Sequence, residues 1–136
     1  MNTTASTDAK TVRPRVLLVD DTPQVRQDLR LMLALPGEMV IVGEAANGQE
    51  AIRLVQALAP DVVVMDLEMP VMDGYEATRV IKSRLPAPRV VILSIHAGPA
   101  EQEKAKSAGA DAFIAKGARV EQLAGAILGT QETGRA

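Results

Sequence analysis

The sequence predicts an α/β protein in which one doubly wound sheet of five parallel strands carries helices on both faces. Three observations support this. Short apolar runs rich in Val, Ile and Leu recur along the chain, and such runs read as strands buried on both faces. Between them lie segments with apolar residues at helical spacing, the signature of βαβ units. Pro, Gly, Asn and Asp punctuate the junctions. The 136 residues fit one domain with a proper core.

Residues 1–14 are polar and are expected to form a flexible lead-in, since they cannot bury themselves. Arg15 to Val19 is the first strand and ends at Asp20-Asp21. Thr22 is placed to cap the next helix, with Pro23 in its first turn. Val25, Leu29, Met32 and Leu33 mark the buried stripe of that helix, and Pro36-Gly37 stop it. Met39 to Glu44 is the second strand. Asn47-Gly48 lead into a helix with Ala51, Ile52, Val55 and Leu58 on one face, ended by Ala59-Pro60. Val62 to Met65 is the third strand. Tyr75 to about Arg84 is a helix that buries Ala77, Val80 and Ile81. Arg89 to Leu93 is the fourth strand, ending at Ser94. The helix Ala100 to Ala108 has only alanines to bury and is expected to be weakly held. Asp111 to Ala115 is the fifth strand, with Lys116 directly after it. Val120, Leu123, Ile127 and Leu128 mark the last helix, and residues 130–136 read as a frayed tail.

Composition removes several function classes. There is no Cys, which excludes disulfides and thiolate metal sites. A net charge of −2 gives no general drive towards nucleic acid or anionic membrane. The only aromatics are Tyr75 and Phe113, too few for a base-stacking platform. No apolar run approaches the length of a membrane span. A cytoplasmic protein with no direct nucleic-acid binding is expected.

The chemistry lies at the strand ends. Parallel strands bring their carboxyl ends to one edge, where open α/β sheets bind ligands. Asp20-Asp21, Asp66, Ser94 and Lys116 therefore converge although they are far apart in sequence. Three crowded carboxylates repel one another, and a hard divalent cation such as Mg²⁺ relieves that repulsion. Lys116 adds a point charge suited to phosphate, and Ser94 adds a hydroxyl donor. A carboxylate nucleophile, a cation site and two phosphoryl-orienting groups together describe an acyl-phosphate centre.

Asp20-Asp21, the run Asp66-Leu-Glu-Met-Pro-Val-Met-Asp-Gly74, Ser94, and the run Ala108-Gly-Ala-Asp-Ala-Phe-Ile-Ala-Lys116 carry a resemblance. The chain resembles the receiver domain of two-component response regulators over nearly all of Arg15 to Leu128. Its last run looks like that of receivers that precede helix-turn-helix DNA-binding domains, and either a stand-alone regulator or a receiver excised from a longer chain is expected. The resemblance implies a flavodoxin-like fold with strand order 2-1-3-4-5, the receiver being residues 15–129. It implies that Asp66 accepts a phosphoryl group from a phosphohistidine of a histidine kinase or histidine phosphotransfer protein. Asp21 and Asp66 would hold Mg²⁺ directly, Glu68 through its backbone carbonyl and Asp20 through water. Lys116 would pair with the phosphate. Ser94 and Phe113 would form the switch that alters the surface 99–128, a face that also admits a homodimer.

Three positions depart from the family's usual pattern. Gly117 stands where a Pro on a cis bond is common, and a cis non-proline bond costs about 3–4 kcal/mol, so that geometry is not expected. Phe113 replaces the frequent Tyr and lacks its hydroxyl. Ile95 is bulkier than the usual neighbour of Ser94 and is expected to slow exchange at Asp66. His96 is read as an exposed residue at the mouth of the site. Lys104 and Lys106 are read as part of a solvated, mixed-charge face.

Two other functions compete. One is a receiver-like interaction domain that acts without phosphorylation, which the intact acidic set and Lys116 disfavour. The other is a phosphatase of the haloacid-dehalogenase type. Those enzymes carry Asp-x-Asp after the first strand, whereas the acids here are adjacent and the nucleophile follows the third strand.

Overall fold

The structure, a computed structural model, describes residues 13–129. The lead-in to residue 12 and the tail from residue 130 lie outside the described residues. Five strands alternate with five helices. They are β1 (Arg15–Val19), α1 (Pro23–Ala34), β2 (Val40–Ala45), α2 (Gly48–Leu58), β3 (Val62–Met65), α3 (Gly74–Lys82), β4 (Arg89–Ser94), α4 (Pro99–Ala108), β5 (Ala112–Ala115) and α5 (Val120–Leu128). All strand pairings are parallel, in the order β2-β1-β3-β4-β5.

Alternation along the strands divides the core in two. Val16, Leu18, Val62, Val64, Val91, Leu93 and Ile114 face α1 and α5, which contribute Leu29, Leu33, Leu123, Ala126 and Ile127. Leu17, Val19, Val63, Met65, Val90 and Ile92 face the other way, towards Ala51 of α2, Ala77 and Ile81 of α3 and Ala105 of α4. The near-continuous apolar strands are thus explained by burial on both faces. Met32, expected in the buried stripe of α1, is 43% exposed. Leu29 and Leu33 carry that helix, and Met32 sits at the edge of the stripe they define.

Local chemistry sets the element ends. Asn47 accepts from the Glu50 N–H while Glu50 Oε1 accepts from the Ala46 N–H, a reciprocal cap on α2. Asp73 Oδ1 accepts from the Glu76 N–H at the start of α3. Thr22 occupies the cap position of α1 but makes no side-chain cap bond. Its N–H instead donates to Asp20 Oδ1, and Pro23 supplies the helical start. The strand β2 begins one residue later than expected and bulges opposite Val16/Leu17. Pro14, expected in the lead-in, accepts from the Val40 N–H at 2.9 Å. As the alanine composition foretold, α4 buries only Ala105 and Ala108. Lys104 is no idle member of a solvated face, however: its Nζ lies 4.4 Å from the centre of the Tyr75 ring. That cation–π contact ties α4 to the start of α3. Among the described residues the one cis peptide is Leu85–Pro86, so Lys116–Gly117 is trans, as expected for a non-proline bond.

Candidate functional site

Asp20, Asp66 and Lys116 are each placed by a backbone bond just past a strand end. The Asp20 N–H donates to Ala45 O, the Asp66 N–H to Val19 O and the Lys116 N–H to Ser94 O. The register sets Val19 beside Met65 and Ser94 beside Ala115, so the residues that follow share one edge. Asp20 and Asp66 are buried at 2% and 7% exposure, while Asp21 is exposed. Carboxylate oxygens of the three lie within 4.8 Å of one another. Lys116 Nζ is 2.9 Å from Asp20 Oδ2 and 3.5 Å from Asp66 Oδ1.

The hydrogen bonds separate these acids. Asp20 has both oxygens engaged, Oδ1 by the Thr22 N–H and Oδ2 by Lys116. Asp66 Oδ1 accepts from the Leu67 N–H and faces Lys116, whereas Oδ2 accepts no protein hydrogen bond. Burial and then the negative charge of Asp20 push the Asp66 carboxyl up to about 6, against the pull of Lys116. Burial works against the Lys116 ammonium, but contact with Asp20 and Asp66 more than offsets it and holds the group above its ordinary value.

The second strand contributes a support that sequence reasoning missed. Glu44 accepts from Arg26 Nε at 2.9 Å and from Arg30 Nε at 2.8 Å. Arg26 also donates to the Asp20 carbonyl at 2.6 Å. Burial raises the Glu44 carboxyl, but the two guanidinium groups outweigh it and hold it below the usual range. The signal available in the sequence was Arg26 and Arg30 at helical spacing, facing an acid at a strand end. A second missed feature is the strained backbone at Val71, inside the turn expected after Asp66. The Met72 N–H donates to Pro70 O across Val71, whose φ is 70°. This is a tight γ-turn, strained for a β-branched residue.

The remaining expected residues lie around this centre. Ser94 is 1% exposed, and its hydroxyl engages the His96 backbone rather than Asp66, accepting from N–H at 3.0 Å and donating to C=O at 3.1 Å. Ile95 is largely exposed. His96 is exposed at the mouth, as expected, but it has a partner: Nε2 lies 3.3 Å from Glu68 Oε2. Phe113 packs on the α2/α3/α4 side of the core and lines a cavity of about 480 Å³ with Pro99, Ala105 and Lys106.

Residues 16–128 match the model of the response regulator receiver domain. The chain belongs to that family. Being a receiver domain, it is a phosphorylation-dependent signalling switch of two-component systems. It is 37% identical to the transcriptional regulatory protein LiaR of Bacillus subtilis over 113 residues, which are 83% of this chain and 54% of LiaR. Over 77 residues it is 51% identical to a protein-glutamate methylesterase/protein-glutamine glutaminase of Hahella chejuensis, covering 57% of this chain and 22% of that protein. The signal receiver domain of NarL from Mycobacterium tuberculosis superposes with a TM-score of 0.83 at 33% identity, covering 88% of this chain and 97% of that one. The receiver thus spans about half or less of the length of these two curated relatives.

The donor set fits a hard divalent cation. It is all oxygen and anionic, with the exposed Asp21 carboxylate lying beside those of Asp20 and Asp66. Among the described residues no helix is long and apolar enough to cross a membrane.

The Asp66 carboxyl gives a pH test in metal-free protein. Its folded value of about 6 lies above the ordinary ~3.9 of an unfolded Asp. The folded state therefore binds more protons between those values, and Asp66 makes the fold less stable as pH rises through about 6. Thermal melts in chelator should show Asp66→Asn more stable than wild type at neutral pH. That gap should close as pH falls towards the unfolded value. A gap independent of pH would show that the strain at Asp66 is not electrostatic.

Proposed function

We propose that Asp66 is the phosphoacceptor of this receiver, taking its phosphoryl group from a phosphohistidine on a histidine kinase or histidine phosphotransfer protein. One observation carries the reading: a single ammonium, Lys116, contacts both Asp20 and Asp66 beside the third carboxylate of the cluster. Nucleophile, cation site and phosphate partner thus occupy one edge. Asp66 Oδ2, with no protein hydrogen bond to surrender, forms the new O–P bond as the P–N bond to the donor imidazole breaks. Mg²⁺, when bound, would offset the charge gathering on the phosphoryl oxygens. Asp21, Asp66 and the Glu68 carbonyl would hold it, with Asp20 acting through water. Lys116 keeps its proton throughout and pairs with a phosphoryl oxygen.

Ser94 then leaves the His96 backbone to donate to the phosphoryl group, and Phe113 follows into the space Ser94 vacates. The surface 99–128 changes its binding preference and serves as the contact face for a partner or second copy. The role is stoichiometric, one phosphoryl group per molecule and no small substrate turned over. Such a donor places the receiver in the cytoplasm. The activity named for the methylesterase relative concerns a protein of which this chain covers 22%, and it is not carried over.

The test is incubation with acetyl phosphate and Mg²⁺, followed by intact-protein mass and amide exchange on the same sample. A gain of one phosphate, absent in Asp66→Asn, with altered exchange along 99–128 is the expected result. A gain that persists in Asp66→Asn would place the acceptor elsewhere. Steady turnover of a phosphate ester would favour the phosphatase reading.

A further inference from the structure

Every polar atom of Asp20 is engaged by the protein. Its N–H donates to Ala45 O, Oδ1 accepts from the Thr22 N–H and Oδ2 from Lys116. The carbonyl accepts from the guanidinium of Arg26, in the first turn of α1, at 2.6 Å. Arg26 is itself anchored, since its Nε donates to Glu44 Oε1 at 2.9 Å. Arg30, one turn further along α1, holds the other oxygen of Glu44 at 2.8 Å. The Arg26 side chain is 16% exposed, that of Arg30 44%.

These bonds leave Asp21 between two tethered peptides. The one before it carries the Asp20 C=O held by Arg26, and the one after it carries the Thr22 N–H held by Asp20. A peptide unit is planar, so a grip on its C=O also fixes the Cα that follows. Asp21 is exposed, and its backbone placement brings its carboxylate within 4.8 Å of those of Asp20 and Asp66. We infer that Arg26 is a positioning residue of the cation site: anchored by Glu44, it fixes the Asp20–Asp21 peptide and so holds Asp21 beside Asp66 for Mg²⁺. The inference rests on these acids being the cation site.

The charge of Arg26 would act in the opposite sense. A guanidinium near the acids repels a divalent cation, so its removal should tighten Mg²⁺ binding by charge and loosen it by lost placement. Placement wins, because Glu44 already neutralises much of the charge while partners that orient metal ligands are worth about 10- to 100-fold in affinity. The lower end, about tenfold, is expected for Arg26→Gln, since the peptide after Asp21 stays tethered. The experiment titrates Mg²⁺ into wild type, Arg26→Gln, Arg26→Lys and Arg30→Gln, followed by amide chemical shifts at one ionic strength. Arg30→Gln removes the same charge without touching Asp20, and should bind Mg²⁺ at least as tightly as wild type. Arg26→Lys keeps the charge but cannot reach Asp20 and Glu44 with one planar fork, and should bind between wild type and Arg26→Gln. It carries the test alone should Arg26→Gln not fold. The rate of acetyl phosphate loading supplies a second readout. In the Arg26 variants the Mg²⁺ concentration for half-maximal rate should rise, while the rate at saturating Mg²⁺ returns to near that of wild type. Unchanged or tighter Mg²⁺ binding in the Arg26 variants would overturn the inference, as would equal weakening in Arg30→Gln or a rate that stays low at saturating Mg²⁺. Failure of wild type itself to bind Mg²⁺ would instead overturn the reading of the acids as the cation site, and the role of Arg26 with it.

Discussion

Gly74→Ala should cost the receiver about 3 kcal/mol or more, and a midpoint shift in urea is the measurement that shows it. A Cβ built on Gly74 would lie 2.1 Å from the Asp66 carbonyl oxygen and 2.9 Å from Leu67 Cα. Both are backbone atoms and cannot swing aside as a side-chain tip can. The Gly74 N–H also donates to Leu67 O at 2.9 Å, so helix and loop are locked together at this point. Either α3 must lift from the sheet or the Asp66–Leu67 segment must shift, and each breaks contacts of the site. Gly98→Ala is the matched control. Its Cβ would meet only the flexible end of Glu101 at 2.9 Å, and the expected cost is within about 0.5 kcal/mol. Equal stability of the two variants would disprove the close approach. In the sequence this glycine reads as an ordinary Asp-Gly turn signal; the structure gives it the separate task of letting α3 start against the acceptor's own carbonyl.

The second large effect concerns Lys116. Replacing it by Met leaves the carboxylate of Asp20, at 2% exposure, without its cation and beside Asp66. Breaking a fully buried pair costs about 3–5 kcal/mol. The Lys116 side chain keeps 22% exposure, so about 2 kcal/mol is expected in metal-free protein after allowing for that screening. The ammonium is held above its ordinary value. Its contribution is therefore fully present below the unfolded lysine value of ~10.4 and is lost only as pH rises through the higher folded value. The lysine's own titration adds no pH dependence in the neutral range, but the deficit of the variant should shrink as pH falls through about 6, where Asp66 takes up a proton. Saturating Mg²⁺ should stabilise this variant more than wild type, because it meets a less compensated set of acids. Phosphoryl uptake should fall by at least about tenfold, the loss of one charge-assisted bond to phosphate. A variant as stable as wild type in chelator would mean that Lys116 does not compensate Asp20.

The sheet and the edge that carries the chemistry were legible because both rest on simple patterns. Buried parallel strands need unbroken apolar runs, and the residue that ends each run falls on the same edge. Asp20, Asp66, Ser94 and Lys116 could thus be grouped before any coordinates. What stayed hidden depends on contacts between segments that no local pattern records. The bonds of Arg26 and Arg30 to Glu44 need the placement of α1 on β2, and Lys104 over Tyr75 needs the packing of α4 on α3. The Glu68–His96 contact needs the separation of two loops. Met32 shows the opposite error, where helical spacing suggested burial and the edge of the stripe met water. Thr22 shows a third kind, since a residue at the cap position lent its N–H to a site acid and left its hydroxyl out of the cap.

The division of the core has a mechanical consequence. On one side, α1 and α5 seat Leu29, Leu33, Leu123 and Ile127 against the sheet; on the other, α4 is seated by Ala105 and Ala108 alone. These two flanks behave as springs of unequal stiffness fixed to one plate. A displacement imposed at the shared strand edge is taken up by the more compliant spring. The apolar payload of each helix thus gives the receiver a direction of yield, and it points towards α4.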